Sequence, residues 1–251
     1  MSELQSKYSV PYKVRSYEVD HQQQTTISTI CNYFQEAAGL HAQELHFDIS
    51  DLQKKGLTWI LYKLQVKAHK FPSRWESVEV TTWTAIGDGI RAYRDYELHD
   101  ENGELLAVGL SQWMVLDLQT KRPIKIPDEL KRERFIEGRH VLEPHEKSLQ
   151  KTDGENARLI TTASLNDLDM NRHVNNVRYI DWITGYHFSN DFKRKKCTQM
   201  VIQYAAETKA GDDIYLSTEV EESSKKSHEI NCTLFKNSDK SIIANAKATW
   251  L

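Results

Sequence analysis

Cysteine is scarce in this sequence: three residues in 251, Cys31, Cys197 and Cys232, with none at CxxC spacing from another. An odd number of scattered thiols builds neither a disulfide framework nor a metal knuckle. No metal site and no cofactor are therefore expected, and reduced thiols fit a cytoplasmic protein. Long apolar runs are missing too. No stretch approaches the ~18 apolar residues that read as a membrane-spanning helix. The opening MSELQSKYSV has neither the apolar core of a signal peptide nor the Arg-rich amphipathic start of a transit peptide. Charge of one sign is also lacking. The formal net charge is -3, so no global field draws the chain to nucleic acid or to a membrane surface. Any electrostatic docking must use a local patch.

What is present is a balance of 39% hydrophobic and 27% charged residues, which fits a soluble protein with a core of its own. A faint internal repeat runs through it. Cys31-Asn32-Tyr33 onward can be laid on Val177-Arg178-Tyr179 onward, with Tyr33 over Tyr179 and Gly39 over Gly185, an offset of 146 positions. Two identities are weak by themselves, but the order of elements repeats as well.

In the first half, 29–45 reads as a helix, with Ile30, Phe34, Ala37, Ala38 and His41 near helical spacing. Strand-like stretches rich in Val, Thr, Trp and Tyr follow at 58–69, 77–85, 91–99 and 105–118. Gly87-Asp88-Gly89 and Asp100-Glu101-Asn102-Gly103 punctuate them as turns. The second half has a strand at 158–165 and a helix at 175–188, with Val177, Ile180, Ile183 and Tyr186 or His187 on one face. Strands then follow at 197–206, 213–220, 228–235 and 241–250.

Between the halves, 120–156 is charged and carries Pro123, Pro127 and Pro144. It reads as a linker, with one short helix at 128–135. Each half is one long helix plus a mostly antiparallel sheet, an α+β unit. A helix wrapped by such a sheet is the hotdog arrangement. The expected organisation is two tandem hotdog units, 1–119 and 157–251, around the linker 120–156. Two such sheets can join edge to edge and remove a pair of exposed edges.

The densest polar cluster is Asn166-Asp167-Leu168-Asp169-Met170-Asn171-Arg172-His173-Val174-Asn175-Asn176, between a strand and a helix. Asp169, Asn171 and His173 are spaced two apart. On an extended segment that spacing puts all three on one face; on a helix Asn171 would point away. The extended reading gathers a carboxylate that can orient an imidazole, an imidazole that can move a proton, and an amide that can hold water or a carbonyl. The plainer reading is turn and cap chemistry before a helix. Asn175 or Asn176 serves as the cap in either case, and the helix start can aim N–H groups at an oxyanion.

The stretch Asp169-Met170-Asn171-Arg172-His173-Val174-Asn175-Asn176-Val177-Arg178-Tyr179-Ile180 resembles the signature of the acyl-acyl carrier protein thioesterases, plant and bacterial enzymes that release free fatty acids. Thr58-Trp59-Ile60-Leu61, Val78 to Trp83, Arg91 to Tyr96 and Ser111 to Asp117 resemble that family's N-terminal blocks. The resemblance implies a double hotdog and a thiolester hydrolase. It places the catalytic Asp, Asn and His on Asp169, Asn171 and His173. A family Glu-Cys pair falls on Glu207-Thr208: the Glu is kept and the Cys is not. A papain-like Cys-His-Asn triad is thus untenable here, because a hydroxyl is far less nucleophilic than a thiolate. The implied chemistry has Glu207 and His173 activating water, or Glu207 attacking first, with Asn171 holding water or carbonyl.

The resemblance also implies an acyl chain in the first hotdog, where Trp59, Trp83, Tyr93 and Trp113 are candidates to line the pocket, with Asn175 and Asn176 beside the reacting carbonyl. Aromatic residues on strands are more often plain core. The run Lys193-Arg194-Lys195-Lys196 is either a solvated patch near a helix end or a docking site for the acidic carrier protein. Under the 146 offset Asn171 and His173 fall on Thr25 and Ile27, so the first half lacks the catalytic set, although Asp20-His21 sits at roughly the equivalent place. The expected substrate is long-chain acyl-acyl carrier protein. Rival readings are an acyl-coenzyme A thioesterase, a non-catalytic acyl-binding hotdog and, further off, a hotdog dehydratase. Hotdogs commonly pair, so a homodimer is a further expectation.

Overall fold

A computed structural model of the chain describes residues 6–130, 140–190, 195–224, 227–237 and 240–251. The chain divides into two units, Met1–Pro144 and His145–Leu251. The segment expected as a linker, 120–156, is shared between them.

Unit 1 contains strands β1 (Lys7–Lys13), β2 (Leu57–Ala68), β3 (Ser77–Ile86), β4 (Arg91–Asp100), β5 (Leu105–Asp117) and β6 (Arg122–Ile124), with helices α1 (Ile27–Glu44) and α2 (Ile49–Gln53). The strands pair antiparallel in the order β1-β3-β4-β5-β2, and β6 pairs with β5. Helix α1 starts where Thr26, in extended conformation, accepts the Thr29 N–H with its hydroxyl, the standard way to satisfy a first-turn donor. Its buried stripe holds Ile27, Ile30, Phe34, Ala37, Ala38 and His41, the spacing that lays one face on a sheet. Phe34 stacks on Tyr96 of β4 at 4.8 Å. Gly109 of β5 permits that approach, since a Cβ there would lie 2.7 Å from the Phe34 ring.

Strand alternation sorts the sheet into two faces. Ala92, Arg94, Tyr96 and Leu98 face α1, with Ser111 and Trp113 opposite Arg94 and Ala92. Tyr93 and Asp95 point the other way, level with Ala85 and Trp83. Residues 140–143 cover that second face: His140 Nδ1 lies 2.8 Å from Asp95 Oδ2, the Val141 N–H donates to Asp95 Oδ1, and Gln65 Nε2 donates to the Glu143 carbonyl.

Unit 2 contains β7 (Arg158–Thr162), α3 (Asn176–Asn190), β8 (Cys197–Tyr204), β9 (Asp213–Ser223), β10 (His228–Lys236) and β11 (Ser241–Trp250). The strands run antiparallel in the order β8-β11-β10-β9-β7. Val177, Ile180, Ile183 and His187 of α3 are buried. His187 Nε2 is 3.6 Å from Cys232 Sγ on β10, and the Tyr204 hydroxyl of β8 donates to the Asn176 carbonyl. The opposite face is polar: Thr233, Asn245 and Ser217, strapped by Thr152, whose N–H donates to Thr233 Oγ1 and whose hydroxyl donates to the Ser217 carbonyl. Each unit is therefore one long helix wrapped by an antiparallel sheet, the hotdog arrangement.

Among the α-helices and strands, β1, α2 and β6 were not expected; the strand expected over 158–165 ends at Thr162, and short 3-10 turns at Gly154–Asn156 and Leu165–Asp167 flank it. Of the short helix expected at 128–135, the described part is a 3-10 turn at Asp128–Leu130; the remainder lies outside the described residues.

Candidate functional site

Residues 169–173 form a tight turn, not the extended segment that their two-residue spacing suggested. Leu168 and Val174 pair as an isolated antiparallel bridge, so the chain must reverse between them. The Asp169 N–H donates to the His173 carbonyl at 2.8 Å, and the Arg172 N–H to the Asp169 carbonyl at 3.0 Å. Arg172 takes φ 63°, a left-handed conformation that a non-glycine residue adopts only when its surroundings demand it. One carboxylate oxygen fills the turn: Asp169 Oδ1 accepts the N–H of Asn171 at 2.8 Å and that of His173 at 3.3 Å. Spacing by two thus has a different cause from the expected one. Alternate N–H groups converge on a single acceptor, as in other Asx-type turns.

Among the described residues, the Asp169 carboxylate makes no hydrogen bond to the His173 ring. The imidazole has another partner: His173 Nε2 lies 3.2 Å from Glu207 Oε2. Glu207 follows the end of β8, and its carbonyl accepts from Lys236 Nζ at 2.7 Å, which fixes the backbone beneath the carboxylate. The His173 and Glu207 side chains are 35% and 60% exposed, so water reaches the pair.

Thr208 turns the opposite way. It is fully buried, its hydroxyl accepts from the Tyr179 hydroxyl at 2.9 Å, and its carbonyl accepts the Val174 N–H at 2.9 Å. Burial, more than any other influence, lifts the Tyr179 phenol to about 12. Thr208 pins the turn to the strand end and presents no reactive group.

The site ends at the start of α3. Asn175, immediately before the helix, accepts the Val177 N–H with its side chain at 2.9 Å, as a cap does. Asn176 is the first helical residue.

Unit 1 contains the same turn. Val19 and Thr25 form the bridge. The Asp20 N–H donates to the Gln24 carbonyl at 2.8 Å, and the Gln23 N–H to the Asp20 carbonyl at 2.9 Å. Asp20 Oδ1 accepts the N–H of Gln22 at 2.8 Å and of Gln24 at 3.2 Å, and Gln23 has φ 62°. The Thr25 N–H then donates to the Pro72 carbonyl, as Val174 does to Thr208, and the helix begins two residues later. Asp20 therefore corresponds to Asp169, an offset of 149 and not 146. Asn171 and His173 correspond to Gln22 and Gln24, not to Thr25 and Ile27, and Glu207 to Phe71. Unit 1 keeps the turn and lacks the imidazole and the second carboxylate.

The chain matches the family model of the acyl-ACP thioesterase N-terminal domain over residues 5–133 and that of the C-terminal domain over residues 150–251. It belongs to the acyl-ACP thioesterase family. A palmitoyl-acyl carrier protein thioesterase of Arabidopsis thaliana is 32% identical over 209 residues, 78% of this chain and 51% of that protein. An acyl-[acyl-carrier-protein] hydrolase of Cuphea viscosissima is 31% identical over 78% of this chain and 51% of its own length. The chain thus spans about half the length of these curated relatives. The solved 12:0-ACP thioesterase from Umbellularia californica has a TM-score of 0.87 at 25% identity, with 99% of this chain and 95% of that one covered. An acyl-ACP thioesterase from Bacteroides thetaiotaomicron shares the fold, with a TM-score of 0.83 at 22% identity over the whole of both chains.

Within this acyl-ACP thioesterase family member, the four aromatic residues expected to line one pocket do not converge. Trp59 and Trp113 lie on the α1 side of the unit 1 sheet. Trp59 Nε1 donates to the Phe47 carbonyl, and Trp113 Nε1 to Ser111 Oγ. Trp83 and Tyr93 lie on the far side, under Lys7 and His140 respectively. The reason is strand alternation: Trp113 is level with Ala92, one residue before Tyr93, and neighbours in a strand point to opposite faces. Of the proposed basic patch, only Lys195 and Lys196 are described. Lys193 and Arg194 lie outside the described residues, and the Lys196 ammonium is enclosed, while Lys196 pairs through its backbone with Leu251.

Proposed function

We propose that this chain hydrolyses the thioester of long-chain acyl-acyl carrier protein to free fatty acid and carrier protein. The observation that carries this reading is the imidazole–carboxylate contact, His173 Nε2 to Glu207 Oε2 at 3.2 Å, on a water-accessible turn that runs straight into α3. Family membership supports the substrate class, and the names of the relatives point to the carrier-bound thioester rather than the coenzyme A thioester.

In this reading the thioester carbonyl lies at the start of α3, with Asn175 and Asn176 beside it, where helix N–H groups favour developing negative charge. Asn171 holds the water or the carbonyl. The oxygen of water bonds the carbonyl carbon while its proton passes to the His173–Glu207 pair. The tetrahedral oxyanion then collapses, the C–S bond breaks, and the proton goes to the departing sulfur. General acid–base help of this kind is worth roughly 10²–10⁴-fold. No thiol takes part, since Thr208 stands where the family pattern has Cys. For docking, the reading turns from the lysine run to Arg172: it is exposed, adjacent to His173, and makes no side-chain ion pair among the described residues.

The test is kcat/KM for one long acyl group carried either on acyl carrier protein or on coenzyme A. A preference for the carrier-bound thioester of about tenfold or more, 1.4 kcal/mol in barrier terms, is expected. Turnover of neither substrate, or a preference for coenzyme A, would overturn the proposal.

A further inference from the structure

We infer that Lys236 is a positioning residue for the reaction: its ammonium holds the main chain of Glu207 and so keeps the Glu207 carboxylate at the His173 imidazole. The inference rests on the hydrolase reading of the same site and adds a residue to it. Three observations carry it.

The first is how little else holds Glu207. Residues 205–208 belong to no strand or helix. Ala205 and Ala206 are exposed, so neither steadies the stretch by packing. The Glu207 side chain is itself 60% exposed. The chain is anchored on either side: the Ala205 N–H donates to the Ile243 carbonyl at 2.8 Å, and the Thr208 carbonyl accepts the Val174 N–H at 2.9 Å. Between these anchors Glu207 has two polar contacts among the described residues. Its carboxylate meets His173, and its carbonyl accepts from Lys236 Nζ at 2.7 Å. The lysine is the polar anchor of the glutamate's own main chain.

The second is the match of group to task. An ammonium only donates, and its bond to a carbonyl is charge-assisted, stronger than one between neutral groups. Lys236 is the last residue of β10, paired with Ile214 of β9 on one side and Ser241 of β11 on the other. The side chain is long, but its root is fixed in the middle of a sheet. Support that starts on a rigid element is what keeps reacting groups within about 0.5 Å of their working geometry.

The third is the duplicate. In the strand order of unit 1, β4 takes the place that β10 has in unit 2. It ends in Asp100, whose carboxylate accepts the N–H groups of Asn102 and Glu104 within its own hairpin. An ionised carboxylate has no proton to donate to a carbonyl. The counterpart of Glu207 there is Phe71. Unit 1 keeps the turn before its helix, yet where the glutamate is missing the lysine is missing with it.

Asp212 is the rival partner of Lys236. Burial opposes its charge, and the Lys209 N–H, the Asn237 amide and the Lys236 ammonium together hold its carboxyl below the usual range. The experiment therefore compares Lys236→Met, Glu207→Gln, the double variant and Asp212→Asn in the full chain. Methionine keeps the reach of the side chain and removes the donor. Three readouts are taken: kcat and KM on a long acyl group bound to acyl carrier protein, Tm, and the nitrogen NMR signals of the His173 ring, assigned by their loss in His173→Gln. Lys236→Met is expected to lower kcat about tenfold, with KM little changed and Tm within about two degrees of wild type. Its His173 ring signals should move toward those of Glu207→Gln. In the Glu207→Gln background the same substitution should change kcat by less than about twofold, because residues that act through one another are not additive. Asp212→Asn should leave the ring signals in place.

The inference is overturned if Lys236→Met keeps full kcat, if its ring signals match wild type, if it costs as much in the Glu207→Gln background, or if Asp212→Asn reproduces its effects. The ring signals report the contact in a chain with no thioesterase activity as well. Failure of the hydrolase reading is thus distinguishable from failure of this one.

Discussion

Glu207 and Thr208 are neighbours in the chain and face opposite ways, one 3.2 Å from His173 and open to water, the other fully buried beneath the Tyr179 hydroxyl. Their alternation divides reactivity from anchorage. Glu207→Gln keeps the shape and removes the base, so kcat should fall by roughly 10²–10⁴-fold with Tm close to wild type. Thr208→Val should do the reverse. It strands the buried Tyr179 hydroxyl, a loss of about 1–3 kcal/mol, and leaves substantial turnover in the protein that still folds. Steady-state hydrolysis and thermal melts on both variants check this. A dead Thr208→Val beside an active Glu207→Gln would move the chemistry to the hydroxyl.

The unit 1 turn supplies the cleanest test of His173. Gln24 occupies the equivalent place and accommodates the same hydrogen bonds. His173→Gln should therefore keep the turn, leave Tm within a degree or two and abolish most of kcat, since a glutamine amide moves no proton near neutral pH. Asn171→Ala should also lose most of kcat, because in the proposed reaction its amide holds the water or the carbonyl. Near-wild-type turnover in His173→Gln would remove the imidazole from the mechanism.

Much of this architecture was legible in the residues. The stripe Ile30, Phe34, Ala37, Ala38 and His41 marks α1 because burial on one side of a helix imposes that spacing, and all five are buried. Strand β1 was not legible. Lys7–Lys13 is short, contains Pro11, alternates exposed and half-buried residues, and pairs with β3 alone, so it has no continuous apolar signature. The repeat was visible in the order of elements but not in its register. Tyr33 and Tyr179 are a chance alignment, whereas the true anchor is a single aspartate, Asp20 or Asp169, followed by alternate polar residues that share no identity. Turn hydrogen bonds from backbone N–H groups leave little trace in side-chain type, so Gln22 and Gln24 did not look like Asn171 and His173. The spread of Trp59, Trp83, Tyr93 and Trp113 over two faces needed the β4–β5 register, which no local pattern reveals.

The three cysteines offer a test of thiol chemistry. Cys31, Cys197 and Cys232 form no disulfide and are buried, and burial pushes the Cys232 thiol up to about 12. Thiolate is the reactive form, so Cys232 beside His187 stays protonated across the working range. Iodoacetamide should leave activity intact and label none of the three until the fold is opened with denaturant. Mass spectrometry of the alkylated native protein checks this, and rapid inactivation that tracks modification of one cysteine would contradict a thiol-free mechanism.

Arg172 allows docking to be separated from chemistry. It is exposed, sits between Asn171 and His173, and has no side-chain ion pair among the described residues, whereas Arg178 is already engaged with Asp167 at 3.5 Å and Asp181 at 3.1 Å. In the proposed reaction, an acidic carrier protein docking at His173 would come close to this charge. Asn is well suited to φ near 63°, being one of the residues that tolerate the left-handed region, so Arg172→Asn removes the charge without straining the turn. KM for the carrier-bound thioester should then rise several-fold at low salt, about 1 kcal/mol for one exposed charge pair. Wild type and variant should converge near 0.5 M salt, where screening acts within a few ångströms. The uncharged acyl-pantetheine thioester should show no such difference, because it has no carrier protein to steer. Equal effects on both substrates at all salt concentrations would mean that Arg172 shapes the turn and takes no part in docking.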